Sequence, residues 1–125
     1  MKLLEEDETY LGERGYAFEL VPNGDGACLI IKNYQLAPGK YDRDSVDLMI
    51  CIPPGYNDAK LDMFYVDPEI RLAATHQHPD RASHFENHAN RRWQRFSRHL
   101  PQWRAGIDML RNYFPLINRE LQNRE

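Results

Sequence analysis

The chain has 125 residues, of which 42% are hydrophobic and 28% charged, and its formal net charge is −3. This length suffices to bury one hydrophobic core and hardly two, so we expect a single domain over residues 1–125. The negative charge argues against a general nucleic-acid-binding protein. No apolar run approaches the roughly 18 residues that cross a bilayer, and the acidic amino terminus lacks the features of a signal peptide. We therefore expect a cytoplasmic protein that does not contact membranes.

The amino-terminal half predicts a short helix followed by a β-hairpin. Residues 3–14 are expected to form the helix, which ends at Gly15. Two apolar segments, 17–21 and 27–32, are separated by Pro22-Asn23-Gly24-Asp25-Gly26. The Asn-Gly and Asp-Gly steps supply the positive-φ positions that a tight hairpin turn requires.

Two further strands are predicted after the hairpin. Alternating apolar side chains place four residues on one strand face: Val46, Leu48, Ile50 and Ile52. We expect this face to be buried and the strand to end at Pro53-Pro54, because proline cannot donate a hydrogen bond to a sheet. Residues 63–67 predict a fourth strand that ends at Pro68.

The carboxy-terminal half predicts a loop and then the main core helix. Residues 69–90 are polar and irregular, which indicates mainly loop, with a helix over residues 83–90 as an alternative. Five apolar side chains then recur at 3-4-3-4 spacing and share one helix face: Ile107, Leu110, Phe114, Ile117 and Leu121. Pro115 removes one backbone hydrogen bond, so we expect a kink between Arg111 and Pro115.

All five histidines lie between residues 76 and 99, and this stretch is the candidate functional site: His76, His78, His84, His88 and His99. Both cysteines, Cys28 and Cys51, lie upstream in apolar strands, where most cysteines are small core residues. As an alternative, His76, His78, His84 and His88 with a carboxylate from Asp80 or Glu86 would bind Zn²⁺. No known zinc motif has this spacing, so our first expectation is no metal and no cofactor.

Arginines form the second candidate feature. If residues 91–98 form a helix, three arginines share an outward face: Arg91, Arg95 and Arg98. Trp93 and Phe96 would then pack onto the sheet. Such a stripe suits an acidic protein surface better than a nucleic-acid duplex. We therefore expect partner-binding residues that do not contact nucleic acid: Arg91, Arg95, Arg98 and Trp93.

Four segments stand in an order that resembles a known protein family: 28–31 (Cys-Leu-Ile-Ile), 53–56 (Pro-Pro-Gly-Tyr), 62–68 (Asp-Met-Phe-Tyr-Val-Asp-Pro) and 92–99. With Trp103 they resemble ubiquitin-conjugating enzymes, and more closely a prokaryotic branch encoded beside ubiquitin-like proteins, a ubiquitin-activating-type enzyme and a JAB-type protease. The resemblance implies an α+β, UBC-like fold: a four-stranded antiparallel meander with a short N-terminal helix and C-terminal helices packed on it. It also implies that the chain binds the ubiquitin-like protein and the activating enzyme.

The chain departs from this family at the reacting position. The family carries His-Pro-Asn after its fourth strand and, roughly ten residues later, a cysteine that forms a thioester. Here His78-Pro79-Asp80 resembles the tripeptide, with an acceptor-only Asp in place of an Asn amide donor, and His88 stands where the cysteine would be. Ser97 and His99 offer a hydroxyl near a base, although on a helix this spacing places them on different faces. The resemblance therefore implies a non-cysteine or degenerate site with five candidate catalytic residues: His88, His99, Ser97, His78 and Asp80.

Two other functions remain open at this point. A non-catalytic adaptor of the same pathway would keep the fold and the docking surface alone. A histidine-metal hydrolase would be unrelated to conjugation.

Overall fold

The structure, a computed structural model, describes residues 2–123. Its elements are, in chain order, α1 (Glu5–Glu13), β1 (Phe18–Asn23), β2 (Gly26–Gln35), β3 (Ser45–Ile52), β4 (Phe64–Asp67), β5 (His84–His88), β6 (Arg91–Phe96) and α2 (Leu110–Gln122). The strands form one antiparallel sheet in the order β1-β2-β3-β4-β6-β5, so β1 and β5 are its edges. Within the described residues, no helix has the length and apolar character required to span a membrane.

The predicted first hairpin is confirmed. Asn23 pairs with Gly26, and Gly24 adopts a positive φ of 60° in the turn between them. Gly26 is needed for a different reason, because a Cβ atom there would lie 2.3 Å from the carbonyl oxygen of Ile52 on β3. The hairpin therefore fits against β3 only when residue 26 has no side chain.

The main core lies between one face of the sheet and the two helices. The predicted face of β3 is buried in it, as are four of the five predicted helix residues: Leu110, Phe114, Ile117 and Leu121. Tyr113 joins them, whereas Ile107 is 55% exposed because α2 begins only at Leu110. Pro115 lies inside α2, and the kink there stays a prediction.

The predicted sheet was too small, because residues 84–96 add two strands to it. β5 and β6 form an antiparallel hairpin in place of the expected loop or helix, and β6 pairs with β4. The turn residues Ala89 and Asn90 both have positive φ, 51° and 60°, as a tight two-residue hairpin turn requires. β5 escaped sequence prediction because it is a polar edge strand without an apolar alternation.

A second, smaller apolar cluster lies on the sheet face opposite the helices, which we call the second face. Its members are at most 6% exposed: Cys28, Ile30, Met49, Tyr65 and Trp93. No described helix residue covers them, and the curvature of the sheet explains their burial. A flat sheet would keep β2 and β5 about 19 Å apart, or four spacings of about 4.8 Å. Instead, His88 of β5 lies beside Cys28 of β2, so the β5–β6 hairpin bends back over the second face.

Candidate functional site on the second face

The end of β5 holds His88 over the small apolar cluster. Its Nε2 atom lies 2.9 Å from Oε1 of Glu86, and its ring meets that of Tyr65 edge-on at a centroid distance of 5.2 Å. Trp93 fixes the backbone at this point, because its Nε1 donates a hydrogen bond of 2.9 Å to the carbonyl oxygen of His88. The His88 side chain remains 21% exposed. It is therefore firmly held and still accessible from solvent.

Glu86 is the centre of the hydrogen-bond network that orients His88. Its carboxylate also accepts hydrogen bonds from the Tyr65 hydroxyl at 3.0 Å and from Arg95 Nη1 at 2.8 Å. Burial opposes the ionisation of Glu86, yet the hydrogen bonds from His88, Tyr65 and Arg95 hold its pKa below the usual value. Glu86 is therefore a carboxylate at neutral pH and a fixed acceptor for the imidazole.

Two cysteines lie beside His88. Cys28 and Cys51 face each other as a direct pair across β2 and β3, and both are free thiols. Burial raises the pKa of each thiol, that of Cys51 to about 12. Both are therefore protonated at neutral pH, and neither is an activated nucleophile.

The other predicted catalytic residues lie away from His88. Nε2 of His78 is 2.7 Å from Oε2 of Glu69, and its ring packs on Phe85, which points to the opposite side of β5 from Glu86 and His88. The remaining three also lie away from His88: the Asp80 side chain is exposed, exposed His99 lies 3.7 Å from Asp62, and Ser97 donates its backbone N–H to the carbonyl oxygen of Arg81, the neighbour of Asp80. The five predicted residues therefore do not form one catalytic centre.

The predicted helical arginine stripe is wrong, because Arg91 and Arg95 belong to strand β6. Alternation on that strand places both arginines on the second face, on either side of Trp93, which is fully buried. Trp93 thus supports the hairpin and has no surface to offer a partner. Arg98 lies beyond the strand and pairs with Glu120 of α2 at 2.7 Å.

Internal carboxylates pair with Arg91 and Arg95, the two arginines of β6 that lie on the second face. Arg91 Nη2 lies 2.7 Å from Asp67 and 2.9 Å from Asp47, and its guanidinium stacks over the Trp93 ring. Arg95 pairs with Glu86 in the network already described. The side chains of Arg91 and Arg95 are 30% and 26% exposed, so each also reaches solvent.

The alternative four-histidine metal site is not formed among the described residues, which bring a different group together. Among residues 2–123, the potential ligand atoms that lie close enough to share one ion belong to Cys28, Cys51 and His88. Sequence reasoning missed this group because its members come from three strands far apart in the chain. Only the unpredicted bend of the β5–β6 hairpin brings them together.

Comparison with known protein families finds a match that covers nearly the whole chain. The family model described as Prokaryotic E2 family E matches residues 3–124. Neither the curated proteins nor the solved structures give a match.

Proposed function

The chain belongs to the prokaryotic E2 family E, and from this premise we propose that it is the conjugating-enzyme-like component of a bacterial ubiquitin-like modification pathway. It binds a ubiquitin-like protein and the enzyme that activates it. Its fold is a UBC-like sheet and helix arrangement to which the β5–β6 hairpin is added. It works in the cytoplasm.

The position of the cysteines carries the proposal for the reacting centre. No cysteine follows Cys51 in the chain, and both thiols lie on strands that precede β4. Transfer through a thioester needs a reactive thiolate, whereas burial raises the pKa of Cys51 to about 12. We therefore assign the reacting position to His88, which Glu86 orients. Its imidazole serves as a base for the attacking group or as a transient acyl acceptor.

Transfer of an activated ubiquitin-like partner tests this assignment. His88→Ala should leave partner binding unchanged and lower the transfer rate by roughly 100-fold or more, the usual contribution of a positioned acid or base. His76→Asn is a control, because His76 is an exposed histidine in the loop before β5 and Asn tolerates its positive φ of 59°. The wild-type chain should form no thioester with the ubiquitin-like partner, so a thiol reductant should release no adduct.

Each outcome of the transfer experiment has a defined meaning. Transfer that survives His88→Ala would remove His88 from the reaction and leave the chain as a non-catalytic adaptor. Failure of the chain to bind either the ubiquitin-like protein or its activating enzyme would contradict the whole proposal.

We assign docking of an acidic partner surface to Arg91 and Arg95. Both guanidinium groups remain partly exposed beside their internal carboxylates, so a partner carboxylate can compete for them. Arg95→Gln should slow association and flatten its dependence on salt, because salt screens the attraction that the variant lacks. Arg92→Gln is the control, since Arg92 is exposed on the other face of β6. Unchanged association kinetics in Arg95→Gln, measured at two ionic strengths, would contradict this assignment.

A further inference from the structure

We propose that Cys28, Cys51 and His88 form a binding site for a Zn²⁺ ion, which would occupy the imidazole and so exclude acyl transfer at His88 while the ion is bound. The two sulfur atoms and one imidazole nitrogen all lie within 4.8 Å of one another. A tetrahedral ion with Zn–S bonds of about 2.3 Å and a Zn–N bond of about 2.0 Å holds neighbouring ligand atoms about 3.6–3.8 Å apart. Small side-chain rotations of about 1 Å therefore suffice to complete the site.

The backbone holds the three ligands together without an ion. Cys28 and Cys51 are paired directly across two neighbouring strands, and Cys28 is fully buried in the second cluster. The bent hairpin brings His88 to them, and the hydrogen bond from the Trp93 indole to the His88 carbonyl fixes that bend. Metal binding to such a site does not have to order a loop, which lowers its entropic cost.

Glu86 contacts Nε2 of His88, so Nδ1 is the ring nitrogen left for an ion. A metal-binding histidine typically binds the ion through one ring nitrogen and donates the other N–H to a carboxylate, which orients the ring. Glu86 lies 2.9 Å from His88 and is itself held by the Tyr65 hydroxyl at 3.0 Å. This chain of contacts runs from the protein interior to the proposed ligand.

The charge of the proposed ligands and the access of solvent to them also suit a zinc ion. Two thiolates neutralise one divalent cation, so the half-buried site carries no net charge when filled. Zinc coordination displaces thiol protons, which overcomes the preference of the buried thiols for the protonated form. Cys51 also lines a surface pocket of about 240 Å³, which connects it to solvent. Three protein ligands leave a fourth position for water or another small ligand, the pattern of an open zinc site.

Metal uptake by the purified chain tests the site directly. The apoprotein is reduced, its two free thiols are counted, and it is titrated with Co²⁺ and then with Zn²⁺ under anaerobic conditions. We expect one ion per chain, a thiolate-to-cobalt charge-transfer band and the intense visible absorption of four-coordinate Co²⁺. Zn²⁺ should displace the cobalt and bleach both features. A disulfide between Cys28 and Cys51, formed on oxidation, should abolish uptake.

Variants separate this site from adventitious binding. His88→Gln and Cys51→Ser should each weaken Zn²⁺ affinity by at least roughly 100-fold, and Glu86→Gln by roughly 10-fold through the orientation of His88. His76→Asn, which changes an exposed histidine in the loop before β5, should bind as the wild type does, and circular dichroism of each apo variant verifies folding. The proposal is overturned if the reduced wild-type chain takes up no Zn²⁺, or if folded Cys51→Ser and His88→Gln bind as tightly as the wild type. Equal losses in His76→Asn and His88→Gln would also overturn it.

Discussion

At the scale of single residues, Asp7 is the buried charge that links the two helices. It is fully buried on α1, and its Oδ1 accepts the backbone N–H of Leu110, the first residue of α2, at 3.2 Å. Its Oδ2 has no hydrogen-bond partner among the described residues. Burial is the main reason that its pKa is raised, although hydrogen bonds from Tyr56 and Leu110 act in the opposite direction. The carboxyl group therefore connects the helices at an electrostatic cost that depends on pH.

Asp7→Asn should raise the free energy of unfolding at neutral pH by about 1 kcal/mol, because the amide keeps an acceptor for Leu110 and removes the buried charge. A pKa that is raised in the folded state means that protonation favours folding. This stabilisation of the wild type is complete below the unfolded value near 3.8 and is lost as pH rises through the folded value. The difference in the free energy of unfolding between Asp7→Asn and the wild type should therefore shrink as pH falls. Urea denaturation of both proteins over a pH series measures this difference, and a difference that does not change with pH would contradict the prediction.

At the scale of elements, α2 shows which parts of the fold can be read from sequence. Its amphipathic spacing is local, so Leu110, Phe114, Ile117 and Leu121 were predicted correctly, and so was the buried face of β3. Phe114 lies at the centre of the helix packing. Tyr10 and Tyr16 contact its ring at centroid distances of 5.6 and 5.4 Å.

Phe114→Ala should lower the free energy of unfolding by about 3–5 kcal/mol, because it removes a buried ring and leaves a cavity. Arg111→Ala on the same helix is the control, since Arg111 is exposed and its loss should change stability by about 0.5 kcal/mol or less. Chemical denaturation of the two variants checks the difference. Equal stabilities would place Phe114 outside the core.

The β5–β6 hairpin shows why the other part of the fold, and with it most of the candidate site, could not be predicted from the sequence. β5 lies at the sheet edge with polar side chains on both faces, so its hydrophobicity has no strand period. Its turn at Ala89-Asn90 lacks the glycine that marks most tight hairpins. The partners of His88 depend on the bend of this hairpin, a tertiary property that local spacing does not encode. His88 was therefore predicted as a candidate residue, whereas its contacts with Glu86 and the cysteines were not.

At the scale of the whole molecule, one sheet supports two apolar clusters on opposite faces. Trp103 packs against the main core, and Trp93 is the centre of the second cluster. Alternate residues of the same strands enter both clusters, for example Leu29 and Ile30 on β2. Loss of the sheet must therefore disrupt both clusters together.

Trp103→Phe leaves Trp93 as the only tryptophan, so its fluorescence reports the second cluster alone. The fluorescence transition of this variant in urea should coincide with its far-ultraviolet circular dichroism transition, because the two clusters share one sheet. Recording both signals on one sample removes any effect of the substitution on stability. An earlier fluorescence transition would indicate that the β5–β6 hairpin unfolds as a separate unit.

The sheet does not close on itself, and this has a consequence for the behaviour of the protein in concentrated solution. Each edge strand presents unpaired backbone groups that can template another chain, the usual start of strand-to-strand aggregation. On β1 this row is interrupted by Pro22, which has no N–H to offer. On β5 the side chains are mostly polar or charged, from His84 to His88, so the approach of a second chain would bury hydrated groups. Both ends of the sheet therefore disfavour growth into fibrils.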